Sequence, residues 1–367
     1  MYMKLKLIIL VFFSAFLSPS CEEFSLETDN YIYDQPFPAE VELELPSAIS
    51  SDEFLKSLKV LSGRGIHNYL RNFVYIGDEI SGIINSTYQR IIAIDVEGIS
   101  EYSYTGLDGN TKHVSVKESV NLDNMHWDYY MEIYDDTFSN LALQVLWNEN
   151  TPEQIIILKP NSLNHYRMED HPDAMVVFEY LSEVSASPYE SSVYIGMSGL
   201  TISEQNPYAP DNIKLFFGVN NQIIDFIGSS NNPNVTLYDT SVKGKNWSFR
   251  GKADLAKNLA VTELALTRTE LKNTENMMVD FALKKVILQE LRNEYNYDGF
   301  SDEEILAEKD IDILAIESPS YFNSEGFYTS GKDVPAEYIH LRDFNNLIPF
   351  IPFELKDYEV AFISFVE

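Results

Sequence analysis

Two imidazoles and three carboxylates crowd one short stretch of the chain. Between Pro160 and Asp173 stand His165, Tyr166, Arg167, Glu169, Asp170, His171 and Asp173. Imidazole nitrogens beside carboxylate oxygens suit a divalent cation, provided the loop folds both histidines inward. His165, Glu169, His171 and Asp173 are therefore the candidate metal ligands. Against them, Arg167 puts a positive charge in the middle, and the spacing matches no established ligand pattern. The competing reading is a solvated connection between two strands, with Pro172 fixing entry into the second. On that reading the chain needs no metal and no cofactor. His126, between Met125 and the Trp127-Asp128 pair, fits a surface or hydrogen-bonded core position better than a catalytic one.

The motifs of the common catalytic machineries are missing. The chain carries no phosphate-binding glycine loop, zincin helix pair, nucleophile elbow or EF-hand loop. Gly196-Met197-Ser198-Gly199 is one residue short of the elbow and reads as a turn. No catalytic residue is assigned, and the expectation leans away from an enzyme. A hydrolase would have to work through dispersed carboxylates, which a chain with 57 of them does not single out.

Aromatic residues are the other chemical resource: 23 tyrosines, 22 phenylalanines and three tryptophans. Phenylalanine in strands fills cores, whereas a tyrosine hydroxyl needs a partner or water. Tyr102, Tyr104, Tyr129, Tyr130, Tyr134 and Tyr180 all fall in expected strands. If several share one face, they line a groove for a sugar, lipid or peptide. Otherwise they belong to the core or to an exposed sheet face.

Ahead of these elements stands an address. Lys4 and Lys6 precede an apolar run from Leu7 to Leu17, broken only by Ser14. The run is too short for the about 20 residues that cross a bilayer, and with Ser18 and Ser20 it describes a secretory signal peptide over 1–20. The only cysteine, Cys21, follows directly. Leu17-Ser18-Pro19-Ser20-Cys21 resembles the lipobox of bacterial lipoproteins, with leucine four rather than three residues before the cysteine. Glu22 and Glu23 add a resemblance to surface-exported lipoproteins of the Bacteroidetes. The resemblance implies that Cys21 becomes the acylated N-terminus, palmitate among its chains, in the cell outer membrane on the periplasmic or surface side. Ordinary signal-peptidase cleavage after Ser20 is the alternative.

The elements expected to position these residues are α+β: an antiparallel β-rich sheet or open barrel, N-terminal helices and a long helix near the C-terminus. Residues 21–45 read as an acidic tether. Ser50 and Glu53 form a capping box, with Ile49 stapled onto Phe54, and helical spacing continues from Ile66 to about Ala93. From Gly98 the period becomes two, with a hairpin turn at Leu107-Asp108-Gly109-Asn110. Strands follow, one with Trp127, Tyr129, Met131 and Ile133 on a single face. The break at Ser198–Asn212 separates 46–200, helices plus antiparallel sheet, from 211–367, strands plus C-terminal helices, though both can form one compact domain. Val235–Tyr238 and Tyr358–Val366 read as strands. Thr274 reads as the cap of a long helix through Leu291, and Ser301 with Glu304 as a second capping box.

Charge narrows the partners. Without residues 1–20, 24 basic side chains face 57 acidic ones, a net charge of −33. That field repels nucleic acid and anionic headgroups, so membrane affinity falls to the lipid anchor. A single cysteine excludes a disulfide framework. The leading expectation is a non-catalytic, lipid-anchored envelope protein that binds a protein partner or a small amphipathic ligand, lipid or glycan. Its order of helices before an antiparallel sheet is similar to lipid carriers of the lipoprotein-localisation type. The competing expectation is an envelope hydrolase acting on glycan or peptide through carboxylates.

Overall fold

The computed structural model describes residues 44–51 and 65–75. Between 101 and 349 it describes all but 107, 123–124, 136–139, 150, 152, 164–173, 183–186, 200–209, 233, 240, 242–244, 268–271, 273 and 344–345. The described residues fall into two compact units, 101–182 and 44–75 with 187–349.

In the first unit, alternating and continuous apolar runs form six strands: β1 (Glu101–Thr105), β2 (Thr111–Leu122), β3 (Met125–Asp135), β4 (Asn140–Trp147), β5 (Gln154–Leu158) and β6 (Met175–Ser182). Each pairs antiparallel with the next, so strand order is chain order. The β1–β2 turn closes as its residue types require. Gly109 takes φ +81, open to glycine without the cost a Cβ adds, and Gly106 and Asn110 hydrogen bond across it. A four-residue helix, α2 (Pro160–Leu163), follows β5.

Val114, Met131, Ile133, Leu143, Val145, Ile156, Leu158 and Phe178 share one buried face of this sheet. Trp127 departs from the expected company of Met131 and Ile133 and clusters instead with Tyr130 and Leu146. The pairing of β2 with β3 skips Ser119, whose φ is +58. Asp128 opposite is skipped as well, the register on either side is unchanged, and the alternation of faces fails between Trp127 and Tyr129.

The second unit holds β7 (Ser191–Ser198), β8 (Asn212–Asn220), β9 (Ile223–Asn232), β10 (Lys245–Asp254), β11 (Leu259–Thr267), β12 (Ser320–Asn323) and β13 (Gly326–Ser330), again paired in chain order. The helix over 65–75, α1, belongs to this unit. Its Ile66, Tyr69, Leu70, Phe73 and Val74 recur at helical spacing, and all are buried. Tyr69 stacks on Trp247 at 5.0 Å and Phe73 meets Phe249 edge-on at 5.6 Å. Glycine makes that seat flat. Gly228 lies opposite Phe249 and Gly251 opposite Phe226, and each ring occupies the space a Cβ would take.

The architecture is β-rich and antiparallel, in open sheets with a few helices. Two local expectations fail for identifiable reasons. The single helix capped by Thr274 is two pieces, α3 (Met277–Asp280) and α4 (Leu283–Glu294). Between them Ala282 bridges Ala265 and the Phe281 carbonyl accepts the Leu266 N–H, so β11 draws the backbone out of the helix. Residues 235–238 form no strand beyond a single bridge at Thr236. The Tyr238 and Asp239 N–H groups donate instead to the Glu290 carboxylate of α4. The capping box at Ser301 and Glu304 is formed, opening α5 (Asp302–Glu308). The Ser50–Glu53 box, the staple on Phe54, helix residues beyond 75 and the strand at Tyr358–Val366 lie outside the described residues.

Candidate functional site

Strand register decides which tyrosines can act together. Tyr104 pairs with Lys112, Tyr129 with Trp147 and Tyr180 with Gln154, all on the face that carries Met131 and Ile133. Tyr130 and Tyr134 lie on the opposite face. Tyr102 is registered against Val114 on β2. The six candidates are therefore divided between two faces and cannot line one groove.

Tyr129 stacks on Trp147 at 5.2 Å, and burial, followed by the carboxylates of Glu149, Glu118 and Asp128, raises its phenol pKa. This is a ring packed at the sheet surface. Tyr130 and Tyr134 differ because a carboxylate stands between them at two-residue spacing. Both hydroxyls donate to Glu132 Oε1, that of Tyr134 at 3.2 Å. Gln144 Nε2 donates to the Tyr130 hydroxyl at 2.7 Å, and the Lys117 ammonium stands 3.4 Å from Glu132 Oε2. Burial and then Glu132 push the Tyr130 and Tyr134 phenols above their ordinary value, so both remain donors at neutral pH.

The cluster is graded from inside to outside. Tyr130 is buried at 1% exposure and Glu132 at 4%, whereas Tyr134 is 36% exposed and the Lys117 side chain 51%. Ser103, His113 and Tyr134 form one cross-strand row, and the Ser103 hydroxyl is 2.7 Å from His113 Nδ1. Hydroxyls, an imidazole, an ammonium and an aromatic ring thus reach the surface around a carboxylate fixed from beneath. Such a face offers hydrogen-bond donors and acceptors at set positions.

His165, Glu169, His171 and Asp173 lie outside the described residues, as does Cys21. Among the described residues no group of three or more His, Cys, Asp or Glu side chains is placed to hold a metal ion. Likewise no described helix is long and apolar enough to cross a membrane. His126 is exposed, with Nδ1 3.2 Å from Asn121 Oδ1. Ser198 ends β7 and is buried, and Gly199 leaves the strand at φ +68.

Other ionic constellations appear that the sequence did not isolate. Lys112 joins Asp108 and Asp135 in the interior of the first unit. In the second, Tyr189 and Lys252 meet at Asp225, and His340 and Lys257 meet at Asp254. Glu132 did carry a signal: a charge amid the alternating apolar and aromatic residues of β3. Lys112 carried less, because a lysine at a strand end is ordinary on a solvated edge. Comparison with protein-family models, with curated proteins and with solved structures finds no match for this chain.

Proposed function

We propose that this is an exported protein, anchored in the cell envelope through lipid on Cys21, that binds without catalysis a protein partner or a small amphipathic ligand. The observation that carries the binding reading is the Glu132 cluster. Its carboxylate is oriented by Tyr130 and Tyr134, with Lys117 and His113 at the rim. Fixed acceptors beside an aromatic ring suit hydroxyl-rich ligands, so a glycan is favoured over a lipid, which needs an apolar cavity. The acidic surface and the signal-like start with its lone cysteine support the envelope setting.

Two experiments test the two halves. Metabolic labelling with palmitate should mark the wild-type chain, and Cys21→Ser should abolish the label and move the protein out of the membrane fraction. A printed array of neutral and acidic oligosaccharides should retain the soluble mature chain. Tyr134→Ala and Lys117→Ala should each weaken that retention about tenfold, the equivalent of about 1.4 kcal/mol. An array that stays blank would leave the protein-partner reading in place of the glycan one.

A further inference from the structure

Lys112 is fully buried, on β2, directly opposite Asp135 on β3. Its ammonium nitrogen is 2.9 Å from Asp108 Oδ2, 3.1 Å from Asp135 Oδ1 and 3.1 Å from the Ser162 carbonyl. The side chains of Lys112, Asp108 and Asp135 are 0%, 1% and 0% exposed. One ammonium held between two carboxylates, with all three side chains buried, takes several charges out of water, an expensive way to hold strands together. The arrangement is also built tightly. The Asn110 N–H donates to Asp108 Oδ1 at 3.0 Å and Asn110 Nδ2 to Oδ2 at 3.2 Å. A Cβ at Gly106 would stand 2.7 Å from Asp108 Oδ1 and 2.9 Å from Lys112 Cε, so any side chain there would displace this pair.

We propose that Lys112 and Asp135 condense into an intramolecular amide, with Asp108 as the proton carrier. Asp108 takes a proton from the ammonium, and the freed nitrogen lone pair attacks Cγ of Asp135. The Cγ–Oδ1 bond then breaks, and two of the three ammonium protons, relayed by Asp108, leave with that oxygen as water. One proton stays on the new amide nitrogen. Nothing is oxidised or reduced, and no co-reactant is needed. The geometry supplies what such a step requires, a nucleophile held in contact with the acceptor group: the Lys112 nitrogen lies 3.1 Å from an oxygen of the Asp135 carboxyl, in a fixed buried orientation. Exclusion of water opposes hydrolysis of the product. The amide removes one buried ion pair and leaves the charge of Asp108 in place, with the new amide N–H available to donate to it. The cross-link would tie β2 covalently to β3.

Tryptic mapping of the full mature chain tests this, because trypsin does not cut after an acylated lysine. The expected result is residues 91–117 joined to residues 118–167, one water lighter than the two peptides summed, with fragmentation placing the bond between Lys112 and Asp135. Asp108→Asn should keep the fold by circular dichroism and lose the link. Asp135→Asn should give the same linked product, since ammonia then leaves in place of water. Ordinary cleavage after Lys112 in the folded wild-type chain would overturn the proposal, and so would a bond mapped to Asp108. The wild-type map decides the matter even where a variant does not fold.

Discussion

Tyr130, Tyr134 and Gln144 all depend, directly or through one another, on Glu132. Truncating that carboxylate leaves the buried Tyr130 hydroxyl without its acceptor, so Glu132→Ala should cost about 1–3 kcal/mol in a urea titration. Tyr134→Phe, at the exposed rim, should change stability by no more than about 0.5 kcal/mol, which separates its binding role from a structural one. Asp254 shows a different electrostatic balance. Burial raises its pKa, but the Lys257 N–H, the His340 imidazole and the Lys257 ammonium outweigh it and hold the carboxyl below its ordinary 3.8. A carboxyl depressed in the folded state stabilises above its unfolded pKa, and the contribution fades as pH falls through the folded value. Asp254→Asn should therefore lose stability relative to wild type at pH 7, and the gap should close on acidification below about pH 4. A gap that stays constant with pH would mean that packing, and not charge, sets the effect.

At the scale of elements, the seat of α1 on β9 and β10 is a close-fitting contact. The Phe249 ring lies where a side chain at Gly228 would be, and Phe73 of α1 meets that ring. Gly228→Ala should push Phe249 toward the helix and cost about 1–3 kcal/mol by overpacking. Phe73→Ala should cost about 3–5 kcal/mol by leaving a cavity. Thermal melts of both, and of the double variant, check the argument. Because Phe73 and Gly228 share Phe249, the double variant should be less unstable than the two costs added. The split between α3 and α4 belongs to this scale as well. Helical periodicity runs across Phe281 and Ala282, and the neighbouring edge of β11 takes Ala282 out of helical geometry, to ψ 143.

Across the whole molecule, 24 basic side chains against 57 acidic ones make self-repulsion a standing cost once residues 1–20 are removed. Raising sodium chloride from about 0.05 to 0.5 M shortens the screening length from well above 10 Å to a few ångströms. The melting temperature of the mature chain should therefore rise with salt, and a flat response would show that the acidic residues are too dispersed to matter. What the sequence determined unaided is what neighbours along the chain decide. The period-two runs of β3, β4 and β8, the turn at Gly109 and the cap at Ser301 are local preferences that each segment satisfies alone. The short strands β12 and β13, rich in serine, asparagine and glycine, carry too little apolar alternation to be read that way. The face on which a tyrosine lies was not legible either. It depends on register with the next strand, and the irregularity at Ser119 alters the company of Trp127 without leaving a mark in the pattern. Nor did composition single out Glu132, or Lys112 with Asp108 and Asp135, among so many charges. Their meeting is made by pairing across strands and by burial, and only the folded chain removes the water that would otherwise keep those groups apart.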